Sequence, residues 1–392
     1  MRKIAVFTGN RAEYGLQYPI IKGIYEHPDL ECYLLASGAH LQEDFGTTKG
    51  EIEKDGFHVH AEIELEMKDD TLRSTCTAIG SGILNISEVI EEIQPDFFVV
   101  YADRFEGLAA VVASSQMNIP TVHIEGGDVT EGGALDDSVR HAMTKLSHLH
   151  FTTNEDARER ILRLGEEEWR VHNVGFPVID LLADGKYASE AELAERYGLA
   201  PDQPVLLFTQ HSVTTESNSA IEQIQPSLSA MRRLADEGCQ VILTYPNNDA
   251  GGKRIIAELQ RFCSEAHPRI QLHKSLGRYN YHGVLALCGS KSGACVGNSS
   301  SGIKETPYFG CPTINIGSRQ DGRLRAENVI DAGYDETEIY EQCKRALSDE
   351  PFRKQCRECK NPYGKGGAGK AIAEMLADIE LKPSFTQKKI TY

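Results

Sequence analysis

Short, continuously apolar runs alternate along this chain with longer segments whose apolar residues recur every three or four positions. The runs Lys3–Thr8, Cys32–Ala36, Phe97–Tyr101, Thr121–Ile124, His150–Thr153 and Val171–Val174 predict one series of strands. Val205–Phe208, Val241–Thr244, Ile270–His273, Ala294–Val296 and Thr313–Ile316 predict a second. Strands that alternate with helices in this way imply parallel sheets covered by helices on both faces. Asp180–Gln203 reads as helix and turns between the two series. The pattern therefore predicts an α/β protein of two Rossmann-like, doubly wound domains. The first spans 1–180 and the second 181–382, with a final helix at Lys370–Leu381 able to return to the first domain and a polar tail over 383–392. Doubly wound domains bind ligands at the carboxyl ends of their strands, and a pair of them usually holds the ligand between the two. The residues just after each strand thus carry the functional information.

Composition narrows the class. A chain of 392 residues is too long for one core, and 40% hydrophobic residues is ordinary for a globular protein. The N-terminus, MRKIAVFTGN, runs straight into a strand, and no apolar run reaches about 18 residues, so neither a signal peptide nor a membrane span is expected. A net charge of −17 argues against nucleic acid as a partner but leaves room for a small phosphorylated ligand in a locally basic pocket. Of the ten cysteines, Cys32, Cys76, Cys239, Cys288, Cys295 and Cys311 lie in apolar segments and read as buried thiols of a reducing cytoplasm. Cys356 and Cys359 form a C-x-x-C with no second pair, which is a poor metal or redox signal.

The densest chemistry follows the strand at Thr121–Ile124. His123–His141, HIEGGDVTEGGALDDSVRH, carries Glu125, Asp128, Glu131, Asp136 and Asp137 with two Gly-Gly pairs. Carboxylates converging on one site push their pKa values apart, so one becomes a proton donor and another an acceptor. Asp136 or Asp137 can instead cap a helix starting near Ser138, and Arg140 and His141 read as anchors for neighbouring loops. After Phe97–Tyr101 come Asp103 and Arg104, a general-base arrangement or a salt-bridged helix cap. After the first strand, Gly9 allows a tight turn and Arg11 stands at a helix start that favours anions. The dinucleotide pattern G-x-G-x-x-G is missing there, which disfavours a nicotinamide-dependent dehydrogenase. In the second series, His211 follows Phe208, Asn247 and Asn248 follow Thr244, and Asn298, Ser299, Ser300 and Ser301 follow Val296. Three serines exceed what a helix cap needs and suit a diphosphate. Glu305 lies further along that helix, where it can accept from ribose hydroxyls, and Arg319 follows Ile316. Gly364–Lys370 imitates a phosphate-binding loop, but Ala371 stands where Ser or Thr must hold Mg²⁺ and no strand precedes it.

Together T-G-N-R-A-E-Y, D-R, H-I-E-G-G-D…D-D-S-V-R-H, Q-H-S-V-T-T-E, Y-P-N-N-D-A-G, G-N-S-S-S-G-I-K-E, I-G-S-R-Q-D-G-R and N-P-Y-G resemble the hydrolysing UDP-N-acetylglucosamine 2-epimerases over nearly the whole chain. R-A-E and H-I-E-G-G-D, rather than R-P-E and H-V-E-A-G-L, point to the hydrolysing branch. The resemblance implies a glycosyltransferase-B architecture and conversion of UDP-N-acetylglucosamine and water to N-acetylmannosamine and UDP through 2-acetamidoglucal, for sialic acid-type sugar synthesis. It places Asp103, Glu125 and Asp136 as acid/base carboxylates and His211 at the diphosphate. Arg11, Arg104, Asn247, Ser299, Ser300, Glu305 and Arg319 fall on the nucleotide and substrate side. Asp128 and Asp137 are then structural, and Glu131 a solvated loop acid. The resemblance implies no cofactor, no metal, a UDP-sugar as partner, and a cytoplasmic homodimer or homotetramer. Three other readings stay open. One is the same reaction on UDP-2,4-diacetamido-2,4,6-trideoxyglucose, the legionaminic acid route; another is a glycosyltransferase of the same architecture; the third is a non-catalytic nucleotide-sugar sensor.

Overall fold

The computed structural model describes residues 1–392 apart from 42–48, 68–70, 130–134, 201 and 248–250, and apart from the side chains of 11, 12, 39, 49, 72, 135 and 214. One sheet contains β1 (Arg2–Thr8), β2 (Leu30–Ser37), β3 (Val59–Ile63), β4 (Phe97–Tyr101), β5 (Thr121–Ile124), β6 (Leu149–Thr152) and β7 (Val171–Asn173). A second contains β8 (Val205–Thr209), β9 (Gln240–Thr244), β10 (Ile270–His273), β11 (Gly293–Gly297), β12 (Thr313–Ile316) and β13 (Val329–Ala332). The orders are β3-β2-β1-β4-β5-β6-β7 and β10-β9-β8-β11-β12-β13, and the paired strands are parallel. Both orders reverse beside their first strand, so the crevices open at the carboxyl ends of β1 and β4 and of β8 and β11.

The sequence reading anticipates the central strands and misses β3 and β13. The reason is physical. β4, β5, β8 and β9 are buried at every position, whereas β3 (VHAEI) and β13 (VIDA) are edge strands that expose part of their length and carry charge. Helices cover both faces of each sheet. In the first, Ile20, Ile24, Ile372 and Leu376 pack on one side and Ile86, Ile90, Ala109 and Ala110 on the other. In the second, Ile224, Met231, Leu234 and Ile339 oppose Leu193, Val284 and Leu285. All ten cysteines are free. Cys76 corrects the expectation of burial. It lies on the helix Leu72–Ile93 opposite the buried Ser74 and Ala78 and is exposed. Among the described residues no helix is long and apolar enough to cross a membrane.

The chain forms two compact units: Met1–Val129, Leu135–Asp180 and Tyr363–Tyr392 in one, Leu181–Pro362 in the other. Residues 363–382, which the sequence reading counts with the second domain while allowing the final helix to return to the first, lie in the first unit. The last helix spans Ala368–Asp378 and packs along Arg11–Glu26. Two glycines make that approach possible. A Cβ on Gly23 would stand 2.6 Å from the Gly369 carbonyl, and one on Gly369 2.2 Å from that of Pro19. Asp180 accepts from the Ala368 and Gly369 N–H groups at 3.0 and 2.8 Å. A carboxylate of the protein itself therefore fills the glycine-rich turn that imitates a phosphate loop.

The tail 383–392 has no helix or strand, yet it is fastened. Phe385 is buried between Phe97 and Trp169, each with its ring 5.7 Å away, and Arg170 donates to the Phe385 carbonyl at 2.8 Å. Lys388 reaches both oxygens of the buried Glu166 at 3.1 and 3.0 Å. Truncating Phe385 to Ala is expected to lower the stability of the first unit by about 3 kcal/mol. Urea denaturation followed by fluorescence of Trp169, the only tryptophan, measures that loss.

Candidate functional site

In the first unit the carboxyl ends of β4 and β5 carry the acids. Ala102 (φ 57°) and Glu125 (φ 62°) both adopt left-handed backbone, which non-glycine residues rarely do. The buried His123 ties these ends together: its Nε2 donates to the Ala102 carbonyl at 2.7 Å and its Nδ1 accepts from Thr144 at 3.1 Å. Burial pushes this histidine down to about 3, so it stays neutral. The glycines after Glu125 are sterically required. A Cβ on Gly126 would meet His123 Nδ1 and Thr144 Oγ1 at 2.9 Å, and one on Gly127 the Ala157 carbonyl at 2.4 Å.

Arg140 is the centre of this wall. It lies on the helix Leu135–Leu146 and is buried; it donates from Nη2 to the Asp103 carboxylate and from Nη1 to the Glu125 carbonyl at 3.1 Å. Asp103, Asp128, Glu125 and Asp137 all surround its guanidinium. The salt bridge of Asp103 is therefore with Arg140, not with its neighbour Arg104. Arg104 turns to the buried Glu106, at 3.3 and 3.2 Å. The helix starts at Leu135, so Asp136 and Asp137 lie in its first turn and neither occupies the cap position. Asp136 is exposed, one turn ahead of Arg140 on the same face, and Asp137 is buried. The hydroxyl of Tyr101 faces Glu125, and burial with that carboxylate holds the phenol well above its usual value. Glu131 lies outside the described residues.

A second carboxyl group sits at the switch point itself. Glu13, in the first turn after β1, is buried and accepts from the Gly9 N–H at 3.3 Å and from Gln17 at 2.7 Å. Burial, then the neighbouring Glu106 and Asp103, raise it to about 8, so it carries a proton at neutral pH. Arg11 begins that helix; its side chain lies outside the described residues.

In the second unit the ends of β8 and β11 are stitched together. The Asn298 amide accepts from the His211 N–H at 2.6 Å and donates to the His211 carbonyl at 2.9 Å. Arg319 and Gln320 both donate to the Asn298 carbonyl, at 3.2 and 2.8 Å. The Asn247 N–H donates to His211 Nδ1 at 3.0 Å, so the neutral ring presents Nε2–H outward. Burial and the nearby Arg319 push His211 down to about 3. Asn247 meets this ring with its backbone N–H, and Asn248 lies outside the described residues. Ser300 occupies the cap position of Ser301–Lys304 without a capping bond, so its hydroxyl is not used as a plain cap. That helix has only four residues, too few for an appreciable dipole, which leaves hydroxyl groups and Arg319 as the anion-binding groups on offer at this turn. His282 bonds Glu305 at 2.9 Å.

The structure gathers Asp103 and Glu125 around Arg140 in one unit, with Asp136 exposed on the same helix, and His211, Asn247, Ser299, Ser300, Glu305 and Arg319 around Asn298 and its flanking turn in the other. Sequence reasoning gave Arg140 only an anchoring role and overlooked Glu13, Tyr101 and His282.

Two parallel sheets of this order, each in its own Rossmann-like unit, define the glycosyltransferase-B type of fold. Residues 22–377 match the family described as UDP-N-acetylglucosamine 2-epimerase, and the chain belongs to that family. It is 33% identical over 392 residues, all of both chains, to a UDP-N,N'-diacetylbacillosamine 2-epimerase (hydrolyzing) of Legionella pneumophila. It is equally 33% identical over 388 residues, 98% of this chain and 96% of the other, to a UDP-N-acetylglucosamine 2-epimerase of Neisseria meningitidis. The fold matches the crystal structure of the UDP-GlcNAc 2-epimerase from Neisseria meningitidis bound to UDP-GlcNAc, with a TM-score of 0.80, 19% identity, and 96% and 99% of the two chains covered.

Proposed function

We propose that this protein is a hydrolysing UDP-sugar 2-epimerase acting on UDP-N-acetylglucosamine. UDP leaves C1 as the C2 proton is removed, giving 2-acetamidoglucal. Water then adds at C1 and a proton returns to the opposite face of C2, releasing N-acetylmannosamine and UDP. The observation that carries the reading is the pairing of Asp103 and the Glu125 turn on one buried guanidinium, that of Arg140. Two faces of C2 need two proton carriers, and this wall offers several within one charge-balanced frame. The C2 proton is barely acidic, so departure of the diphosphate must lead. The neutral His211 Nε2–H, Arg319 and the serines Ser299 and Ser300 suit that task, with Glu305 for the ribose, because donors fixed before the reaction need no reorganisation as charge develops. Arg11 and Arg104 complete the substrate side of the reading.

A second substrate is favoured by the Legionella relative, which matches this chain from end to end and is named for UDP-N,N'-diacetylbacillosamine. Incubating the protein with each nucleotide sugar in D₂O and following the products by NMR tests both. The expected result is free 2-epimerised sugar with deuterium at C2, plus UDP, with no acceptor present. Release of UDP only when an acceptor is added would make the protein a glycosyltransferase. No product from either sugar defeats the reading.

A further inference from the structure

Three hydroxyl groups line up beneath the turn that follows β11, beside a pair of threonines. Thr244, at the end of β9, and Thr209, at the end of β8, have their Oγ1 atoms 2.6 Å apart. Beside this pair, Tyr281, on the helix Gly277–Ser290, stands 2.6 Å from the Oγ of Ser301. Ser301 in turn donates to the Oγ of Ser299 at 3.0 Å. Each hydroxyl has one proton, so the last bond fixes the one before it. With the Ser301 proton committed to Ser299, Tyr281 must donate to Ser301. The chain ends on the Ser299 proton, which has no protein acceptor among the described residues.

We propose that Tyr281 is a positioning residue that aims the Ser299 hydroxyl at the departing diphosphate through this one-directional chain. The proposal rests on the nucleotide reading given above. Bonds donated in series polarise one another, so the terminal hydroxyl is a stronger donor than an isolated serine and is fixed in direction before the anion arrives. The frame is rigid. Gly297 has φ 123°, and a Cβ there would lie 2.0 Å from the Thr209 carbonyl, so the ends of β8 and β11 are locked in close approach. Burial keeps the Tyr281 phenol well above its usual value, so it holds its proton as a donor must. A chain of hydroxyls also suits the place. It directs a proton at an anion without burying a compensating charge, which a lysine there would require.

The test is calorimetric binding of UDP, with steady-state kinetics, for the wild type, Tyr281→Phe, Ser299→Ala and the double variant. Tyr281→Phe keeps the ring and removes only the link. Each single variant is expected to weaken UDP binding about 5–10-fold, and the double variant no more than about twofold beyond Ser299→Ala, because both cut one chain. Ser301→Ala, which removes the middle hydroxyl, should copy Tyr281→Phe. This variant decides the matter if Tyr281→Phe folds poorly. Unchanged UDP affinity in Tyr281→Phe, or losses that multiply in the double variant, overturns the proposal while the nucleotide reading stands. A wild type that does not bind UDP overturns both.

Discussion

Glu125→Gln is expected to cut turnover of the UDP-sugar about 10³-fold while leaving UDP affinity within about twofold, the effect of removing one positioned proton carrier. The substitution is nearly isosteric, and Arg140 still holds residue 125 by its backbone carbonyl. Asp103→Asn is expected to lose turnover to a similar degree but to differ in stability. Asp103 is the side-chain partner of a buried guanidinium, and removing one member of such a pair strands the other, at about 3 kcal/mol. A fall in melting temperature for Asp103→Asn and none for Glu125→Gln, with both inactive and both binding UDP, separates chemistry from scaffold. Turnover within tenfold of wild type in both variants removes these carboxylates from the reaction.

These two residues also mark how far the sequence could be read. Asp103 and Glu125 were legible because each follows a fully apolar run, and in a doubly wound sheet such a position faces the crevice. Their common partner was not. Arg140 stands 37 residues from Asp103 and 15 from Glu125, on a helix whose phase no local pattern fixes to that corner. Glu13 was hidden for a related reason. A glutamate in the first turn of a helix normally serves the dipole, and only burial beside Glu106 turns it into a protonated acid. The His282–Glu305 pair and the hydroxyl chain through Tyr281 likewise join strand ends to a helix that looks apolar and structural in sequence. β3 and β13 escaped because the charged and polar positions within VHAEI and VIDA break the apolar run used to find strands, as an edge position tolerates. The departure of 363–392 to the first unit depends on Gly23 and Gly369 meeting face to face, a contact that sequence alone does not register.

Acid is expected to unfold the first unit at a pH where most surface carboxylates are still ionised. Burial holds His40 down to about 4, His123 to about 3 and His148 to about 4, against an ordinary 6.5. Below 6.5 the unfolded chain takes up protons that the folded unit refuses, so the stability these groups contribute is complete above 6.5 and drains away as pH falls toward their folded values. Glu13 runs the other way. Its folded value, about 8, lies above the unfolded one, so its contribution is complete below about 4.5 and is lost as pH rises through 8. Glu166 adds little in this window. Burial alone would raise it, but His150, Lys145 and Lys388 outweigh that and hold it near 2, so its contribution is lost only below about 4.5. Three histidines against one glutamate leave a net loss on the order of 5 kcal/mol between pH 6.5 and 4.5, comparable with the stability of a whole domain. Stability should therefore peak near pH 6.5, with unfolding setting in between 6 and 4. Trp169, held against Arg170 and Phe385, reports it. His123→Asn is expected to move the acid midpoint to lower pH, since its amide can still donate to the Ala102 carbonyl but cannot take up the proton. Glu13→Gln is expected to flatten the decline above pH 6.5 and leave the acid limb steeper. A midpoint below pH 4 that His123→Asn does not move would mean that these histidines are not what makes the unit acid-labile.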